Sequence, residues 1–499
     1  MLMKILLIQP PIEDFYITEI RLYPLGLLYL GTMLEQNGHE VQILDCLNPL
    51  KKKTIPYPKT FSYLKKYYNE KEVGPLKLFG AYYRFGLSDD DILYKIEEFQ
   101  PDVIGISSNF TAYFNSTETL INKIKQRYPG TKVAIGGYHA SIYEKEIFEK
   151  LPQLDAIIKG PNETDFLAAI GAEKPKMDFC FTQHYPNRNL VHSAYYKMHK
   201  QNFTFITATR GCPKNCSFCT VSSMHGRNFV TRPVENIINE MNEAYSQHTI
   251  RVFDFEDDNL SLNKKWFIAL LDQITLTFPK KDIRLYAMNG ISIESLNEEI
   301  QTKMWDAGFK DLNISLVTAA DTHKEALGRP FLNKQFEEAV NTARSIGFKI
   351  TAYFILGLPD QTEEQLIETI EYMRSFDVLI SPSVFYPPPG TEMFHDLSKA
   401  KRIDPNNWEM FRSSVFPVET EHLTRDKLVH YFQLIRLYNF ERQLKEKHDL
   451  DSIDLATLEK ISPLTTETIN PKNSSEEEIG IAQLKEYLKT GDIRRFFNR

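Results

Sequence analysis

The chain has 499 residues, which at roughly 150 residues per domain sets an expectation of about three domains. Hydrophobic residues make up 42% and charged residues 25%, with 22 Gly and 26 Pro, a composition that excludes disorder, collagen-like repeats and low-complexity architecture. Lys and Arg number 59 against 66 Asp and Glu, and the net charge of -7 argues against a protein built around nonspecific nucleic-acid binding.

In chain order, residues 1–8 hold one lysine and a very short apolar run ended by Gln9-Pro10-Pro11, too little for a secretory signal. The most apolar stretch, 24–34, falls well short of the ~20 residues a membrane span needs. A cytoplasmic protein with no nucleic-acid partner and no membrane span is therefore expected. Residues 5–8, 41–44, 103–107, 133–135 and 156–158 read as short apolar strands. Helical periodicity lies between them at 25–36, closed by Asn37-Gly38, at 116–127, and again before the last strand. This alternation implies parallel pairing with right-handed crossovers, so 1–170 is expected to form a five-stranded doubly wound α/β domain. Such sheets bind ligands at the carboxyl ends of their strands. Gln9-Pro10-Pro11, Ser107-Ser108-Asn109 and Gly136-Gly137-Tyr138-His139 stand at those ends, though each also reads as a plain turn. No GxGxxG pattern follows the first strand, so a dinucleotide site has no support. Residues 47–88, with Lys51-Lys52-Lys53, several tyrosines and scattered prolines, interrupt the alternation as an insertion or cap.

Periodicity is lost over 171–200, which carries Pro175 and Pro186 and reads as a linker. A second series follows, with strands at 203–207, 250–255, 284–288, 312–317, 349–356 and 378–385. Helices are expected at 234–245, 264–275, 296–307, 333–346 and 363–375. Six βα repeats fall two short of a closed barrel, so 201–395 is expected to form a partial, open (β/α)6 barrel with its chemistry at the strand C-termini. After Pro387-Pro388-Pro389-Gly390 the chain turns helical over 396–499. Residues 426–448 show a broad apolar face there, and 474–478 reads as a helix start.

Cys46 and Cys180 stand alone, whereas Cys212, Cys216 and Cys219 share the loop after the first strand of the second series. An odd count of five in a reducing compartment argues against a disulfide framework. A Cys-x3-Cys-x2-Cys loop suits three irons of a cubane cluster. With no fourth cysteine nearby, one iron is left for a non-protein ligand. A structural zinc needs four ligands, and only His225 is close enough in sequence to complete one.

The loop Thr209-Arg210-Gly211-Cys212-Pro213-Lys214-Asn215-Cys216-Ser217-Phe218-Cys219 resembles the radical S-adenosylmethionine (radical SAM) signature. The resemblance implies a 4Fe-4S cluster on Cys212, Cys216 and Cys219, with SAM bound to the fourth iron through its amine and carboxylate. It further implies reductive cleavage to a 5′-deoxyadenosyl radical, fed by a one-electron donor of the flavodoxin or ferredoxin type. By the same resemblance Phe218 contacts adenine, and Glu256 and Asp257 of Phe255-Glu256-Asp257-Asp258-Asn259 receive the SAM amine, a cation that needs a carboxylate. Asn289 stands at a further strand end of the SAM site. Ser315 is expected near the ribose or carboxylate, Arg329 at the carboxylate through its fork, and Ile355, Leu356 and Gly357 near adenine through backbone groups.

A doubly wound domain ahead of such a loop is similar to the cobalamin-binding branch of these enzymes, with class B-like methyltransferase architecture. Pro24-Leu25-Gly26-Leu27, Gly38-His39, Gly136-Gly137-Tyr138-His139 and Gly160 with Glu163 are its landmarks. This resemblance implies cobalamin bound at Pro10, Pro11, Ser107, Ser108, Gly136, Gly137, Tyr138 and His139. One departure stands out. Where a histidine-ligating cobalamin domain carries Asp-x-His-x-x-Gly, this chain has Gln9-Pro10-Pro11-Ile12-Glu13-Asp14, without a histidine. Members of the branch that bind cobalamin without a histidine ligand share this absence, as does a domain that has lost cobalamin. The implied activity is methyl transfer to an unactivated carbon. Cyclisation or rearrangement without methyl transfer is a second reading, and a non-catalytic cobalamin or iron–sulfur sensor a third. A tRNA methylthiotransferase fits poorly, because those enzymes bring three further N-terminal cysteines and only Cys46 and Cys180 lie upstream. Neither the substrate, a small molecule or a peptide, nor a catalytic acid or base is legible in the residues.

Overall fold

The computed structural model describes residues 2–16, 23–48, 50–69, 72–160, 163–171 and 180–492. Pro175 and most of the first half of the expected linker lie outside them.

The five expected strands of the first domain form one parallel sheet in the order Glu40–Asp45, Lys4–Gln9, Val103–Ser107, Lys132–Gly136, Ala156–Ile158. The strand that comes first in the chain sits between the second and third, so the winding direction reverses beside it, and a doubly wound sheet binds ligands at that reversal. Ile5, Leu6, Leu7 and Ile8 are all buried because helices cover both faces. Helix Leu25–Gln36 lies against one face and helix Phe114–Arg127 against the other.

The second series gives strands Gln201–Ile206, Val252–Phe255, Arg284–Tyr286, Asp311–Val317, Lys349–Leu356 and Leu379–Val384. They pair in parallel as two groups of three, joined by parallel bridges from Leu285 to Phe309 and from Ile291 to Ile314. The result is the open six-stranded half-barrel. Phe253 and Phe255 point outward into the helices, whereas Phe203, Phe205, Val252 and Tyr286 point inward and pack on Tyr23 and Leu28 of the first domain. The concave side of the half-barrel is thus closed by the first domain.

Residues 47–88 do more than cap. Strand Tyr83–Phe85 pairs antiparallel with both Ile12–Asp14 and Lys52–Thr54. Phe61, Leu64, Tyr68 and Leu76 are buried in the same core as the barrel helices and the long helix Arg425–His448. The Gln433 amide donates to the Leu76 carbonyl at 2.9 Å, and Tyr63 donates to the Val415 carbonyl at 2.7 Å. The insertion therefore fastens the first domain to the C-terminal region. That region also contributes Trp408 and Phe411 to the core of the first domain. Helix Glu476–Thr490 begins with a reciprocal cap, Ser475 Oγ accepting the Glu478 amide at 3.2 Å while Glu478 accepts the Ser475 amide at 2.8 Å.

Three buried arginines lock these joints. Arg412 donates to the carbonyls of Glu13 (2.7 Å) and Ala112 (2.6 Å) and pairs with Asp14 at 3.5 Å, with side-chain exposures of 5% and 3%. Asp14 also accepts from Ser414 (2.7 Å) and Tyr113 (2.8 Å). At the other joint Arg188 of the inter-domain segment and Arg232 share Glu240, at 2.7 and 2.6 Å, with all three buried. Removing one partner of such a pair leaves an uncompensated charge, at a cost of about 3–5 kcal/mol. Asp14→Ala is expected to lower the midpoint of thermal unfolding by about 5 °C or more, read by scanning fluorimetry; an unchanged midpoint would show that Arg412 does not depend on it.

Candidate active site

The carboxyl ends of the two parallel sheets face one another across a chamber of about 450 Å³. Pro10, Pro11, Ser107, Ser108, Gly136 and Gly137 line it from the first domain, along with Pro24 and the start of helix Leu25–Gln36, Gly160 and Glu163. Phe205, Arg210, Met224, His225 and Glu256 line it from the half-barrel. Glycine is needed at 137, where φ is +121° and a Cβ would fall 2.5 Å from Asn109 Oδ1 and 2.7 Å from the Ser108 carbonyl. Ser108 is itself buried, and its hydroxyl has no partner among the described residues. A buried orphan hydroxyl on a glycine-lined wall fits a large ligand rimmed with amides, such as cobalamin.

Tyr138 and His139 do not line the chamber. A helix, Tyr138–Ile142, starts directly after Gly137 and turns both side chains out of it. His139 is fully buried among Phe114, Tyr143 and Trp408, with ring centroids 4.5, 5.1 and 4.7 Å away, and its Nδ1 lies 3.1 Å from Thr111 Oγ1. Burial lowers its pKa to about 3, so the imidazole stays neutral and serves the core. Tyr138 instead reaches the half-barrel, donating its hydroxyl to the Pro389 carbonyl. Pro10 and Pro11 border the chamber, but Asp14 beyond them is turned away to Arg412.

The cysteine loop leaves the short strand Thr209–Arg210 at the half-barrel's mouth. All five cysteines of the chain are free of disulfides, and Cys46 is buried in the first domain. Among the described residues no three His, Cys, Asp or Glu side chains converge as a site for a single metal ion. The loop's path is set by acidic residues of the next strand end. Asp257 Oδ1 accepts the amides of Ala208 (3.0 Å) and Thr209 and the Thr209 hydroxyl (2.7 Å). Asp258 accepts the Gly211 amide at 2.7 Å. Gly211 (φ +81°) and Gly328 (φ +69°) allow close backbone approaches: a Cβ would lie 2.1 Å from the Asn228 carbonyl oxygen and 2.3 Å from that of Asn215, respectively. Asn259 Nδ2 lies 3.6 Å from Cys212 Sγ, and Cys216 Sγ lies 3.8 Å from the Gly328 carbonyl. Three free thiols on one braced loop form a donor set that fits a cluster with one open corner.

The structure divides the expected SAM residues. Glu256 faces the chamber and accepts from Asn289 Nδ2 at 2.8 Å, which brings two of them together. Asp257 is 5% exposed and braces the loop; burial pushes its carboxyl up to about 7 against the pull of those hydrogen bonds. Arg329 donates to the Ser315 carbonyl at 3.4 Å and lies beside Cys216, whose thiol burial pushes up and the guanidinium only partly offsets. Phe218 and Ile355 meet in one apolar cluster with Val317, Leu358 and Phe385. The Leu356 carbonyl accepts from Phe385 (2.9 Å), and the Gly357 amide donates to Gln361 (3.1 Å), so both backbone groups are engaged within the chain. Sequence reasoning did not single out Arg210, Met224 and His225 as chamber residues. Their nearness to the cysteine loop was the available signal. Gly328→Ala adds a left-handed strain of about 1–2 kcal/mol to a steric clash with the loop, and is expected to lower reconstituted iron per chain without unfolding the protein; iron content equal to wild type would refute the brace.

Comparison with known proteins agrees with this geometry. A Radical SAM superfamily model matches residues 206–373, and a B12 binding domain model matches residues 81–170. An uncharacterized methyltransferase of Pyrococcus horikoshii is 23% identical over 458 residues, covering 85% of this chain and 90% of that protein. The cytidylyl-2-hydroxyethylphosphonate methyltransferase of Streptomyces wedmorensis is 24% identical over 469 residues, covering 81% and 83%. The solved structure of the radical S-adenosylmethionine methyltransferase TsrM from Kitasatospora setae, with cobalamin and a 4Fe-4S cluster bound, shares the fold. Its TM-score is 0.60 at 17% identity, over 81% of this chain and 80% of that one. With the two models falling in turn on the two sheets whose strand ends meet at the chamber, the chain belongs to the radical SAM enzymes that carry a B12-binding domain, and its cofactors are a 4Fe-4S cluster, SAM and cobalamin.

Proposed function

We propose that this protein is a cobalamin-dependent radical SAM methyltransferase acting on an unactivated carbon of its substrate. The observation that carries the reading is the single chamber, which Ser108 and Gly137 wall on one side and Arg210 and Glu256, flanking the cysteine loop, on the other. When bound, the cluster and SAM supply a radical that takes hydrogen from carbon, and cobalamin supplies the methyl group. Cys212, Cys216 and Cys219 hold three irons. Glu256, oriented by Asn289, receives the SAM ammonium, and Arg329 offers its fork to the carboxylate beside Cys216 and Ser315. Phe218 and Ile355 form the apolar wall for adenine, while Asp257 positions the loop rather than touching SAM. Pro10, Pro11, Ser107, Ser108, Gly136 and Gly137 form the cobalamin wall, and no histidine of the first domain faces it among the described residues.

This reading divides the chain into 1–170 for cobalamin, the linker 171–200, the half-barrel at 201–395 and the C-terminal region 396–499 that fastens them. An external electron donor is required; we assign it to the flavodoxin or ferredoxin class, and the free cysteines suit work in the reducing cytoplasm. Among the described residues no helix is long and apolar enough to cross a membrane.

The test is anaerobic reconstitution followed by product analysis with candidate substrates. Wild type is expected to form S-adenosylhomocysteine and 5′-deoxyadenosine together with a methylated product. Cys216→Ala is expected to lose 5′-deoxyadenosine entirely. A substrate turned over with 5′-deoxyadenosine but without a methylated product would replace methyl transfer by cyclisation or rearrangement.

A further inference from the structure

The first domain grips the cysteine loop at both of its ends. Ahead of Cys212, the Arg210 guanidinium pairs with Glu163 at 3.4 Å and lies 5.4 Å from the Tyr29 ring centroid, both in the first domain. Phe181 of the inter-domain segment stacks against the same guanidinium at 4.1 Å. Just after Cys219, the Tyr138 hydroxyl lies beside those of Thr220 and Ser223 and donates to the Pro389 carbonyl. The turn that Tyr138 holds leads into helix Glu392–Lys399, whose Met393 amide donates to the Ser217 carbonyl at 3.5 Å, inside the loop. The two grips are joined on the first-domain side, where Ser141 Oγ, on the helix of Tyr138, accepts the Gly160 amide at 2.9 Å.

The residues that hold the loop adjoin those that wall the chamber. Gly137 immediately precedes Tyr138, and Gly160 and Glu163 themselves line the cavity. A ligand that fixes Gly137 and Gly160 therefore fixes Tyr138 and Glu163, and through them the backbone on either side of the three cysteines. The converse follows, because coupling between two binding sites is reciprocal.

We propose that the Tyr138 and Glu163–Arg210 grips couple the two cofactor sites, so that loading the cysteine loop with its cluster tightens cobalamin binding and cobalamin in turn steadies the loop. The proposal rests on the reading in which both cofactors share the chamber, but its test contains no turnover. Hydroxocobalamin is titrated by tryptophan fluorescence, anaerobically, into the full-length protein with and without reconstituted cluster. Loss of cluster iron to a chelator is then timed with and without saturating hydroxocobalamin. In wild type the Kd is expected to fall about fivefold or more on cluster loading, and cobalamin is expected to slow iron loss. Tyr138→Phe removes one hydroxyl that does not line the chamber, so it should leave the Kd of the cluster-free protein unchanged while shrinking the ratio of the two Kd values. Combining it with Glu163→Gln should bring that ratio to one, at wild-type iron content. A wild-type ratio of one, or a ratio that Tyr138→Phe leaves intact, overturns the coupling alone. Absence of any hydroxocobalamin binding overturns both the coupling and the functional reading beneath it.

Discussion

The arrangement depends on how Asp257 and Asp258 hold the start of the cysteine loop. A loop that gives three thiolates to a cluster and leaves one corner open lacks a fourth sulfur to fix it. The neighbouring strand end supplies the missing fixation instead. Asp257 takes up the amides of Ala208 and Thr209, and Asp258 that of Gly211, so the chain leaves its strand along one path. Hydrogen bonds from backbone N–H to a carboxylate favour its charged form and oppose the burial that pushes Asp257 up to about 7, so several converging on one carboxyl are enough to set a backbone. Glu256, the acid just before them, faces the chamber.

The alternation of apolar runs made both sheets legible, since strands buried on two faces read as near-continuous hydrophobic segments such as Ile5-Leu6-Leu7-Ile8. The cysteine triple was legible for a different reason: spacing within one loop survives without any knowledge of the fold. What could not be read were side chains whose roles are set by long-range partners. His139 and Tyr138 stand where a ligand contact is expected, yet a helix beginning at Gly137 turns one into the Trp408 core and sends the other across to Pro389. Asp257 and Glu256 are adjacent acids just past a strand end, and only their partners, Thr209 of the loop for one and Asn289 at the chamber for the other, separate their tasks. The insertion at 47–88 hid its role because Phe61, Leu64 and Leu76 find their core more than three hundred residues later in the chain.

Buried arginines mark the joints of the assembly. Arg412 ties the C-terminal region to strand Ile12–Asp14, and Arg188 with Arg232 brackets Glu240 where the inter-domain segment meets the half-barrel. Buried ion pairs are costly to desolvate and are weak evidence of stability by themselves. Their geometry is restrictive, however, because a guanidinium needs its carboxylate and carbonyls in fixed directions. In Arg412 those partners come from Glu13, Asp14 and Ala112, so the arginine is satisfied only when the first domain and the C-terminal region are in one relative position.

That single position matters because of what the chamber must exclude. Its walls are mostly apolar, and its charged members are paired within the protein, Arg210 with Glu163 and Glu256 with Asn289. Polar groups given partners in this way can be kept away from bulk water, and a site that reacts with unactivated carbon benefits from exclusion of competing donors. A chamber formed between two sheets excludes water only as long as the sheets stay registered. The features farthest from the cysteines, the insertion packed on the long C-terminal helix and the arginine at its joint, therefore contribute to the chemistry by keeping the two sets of strand ends face to face.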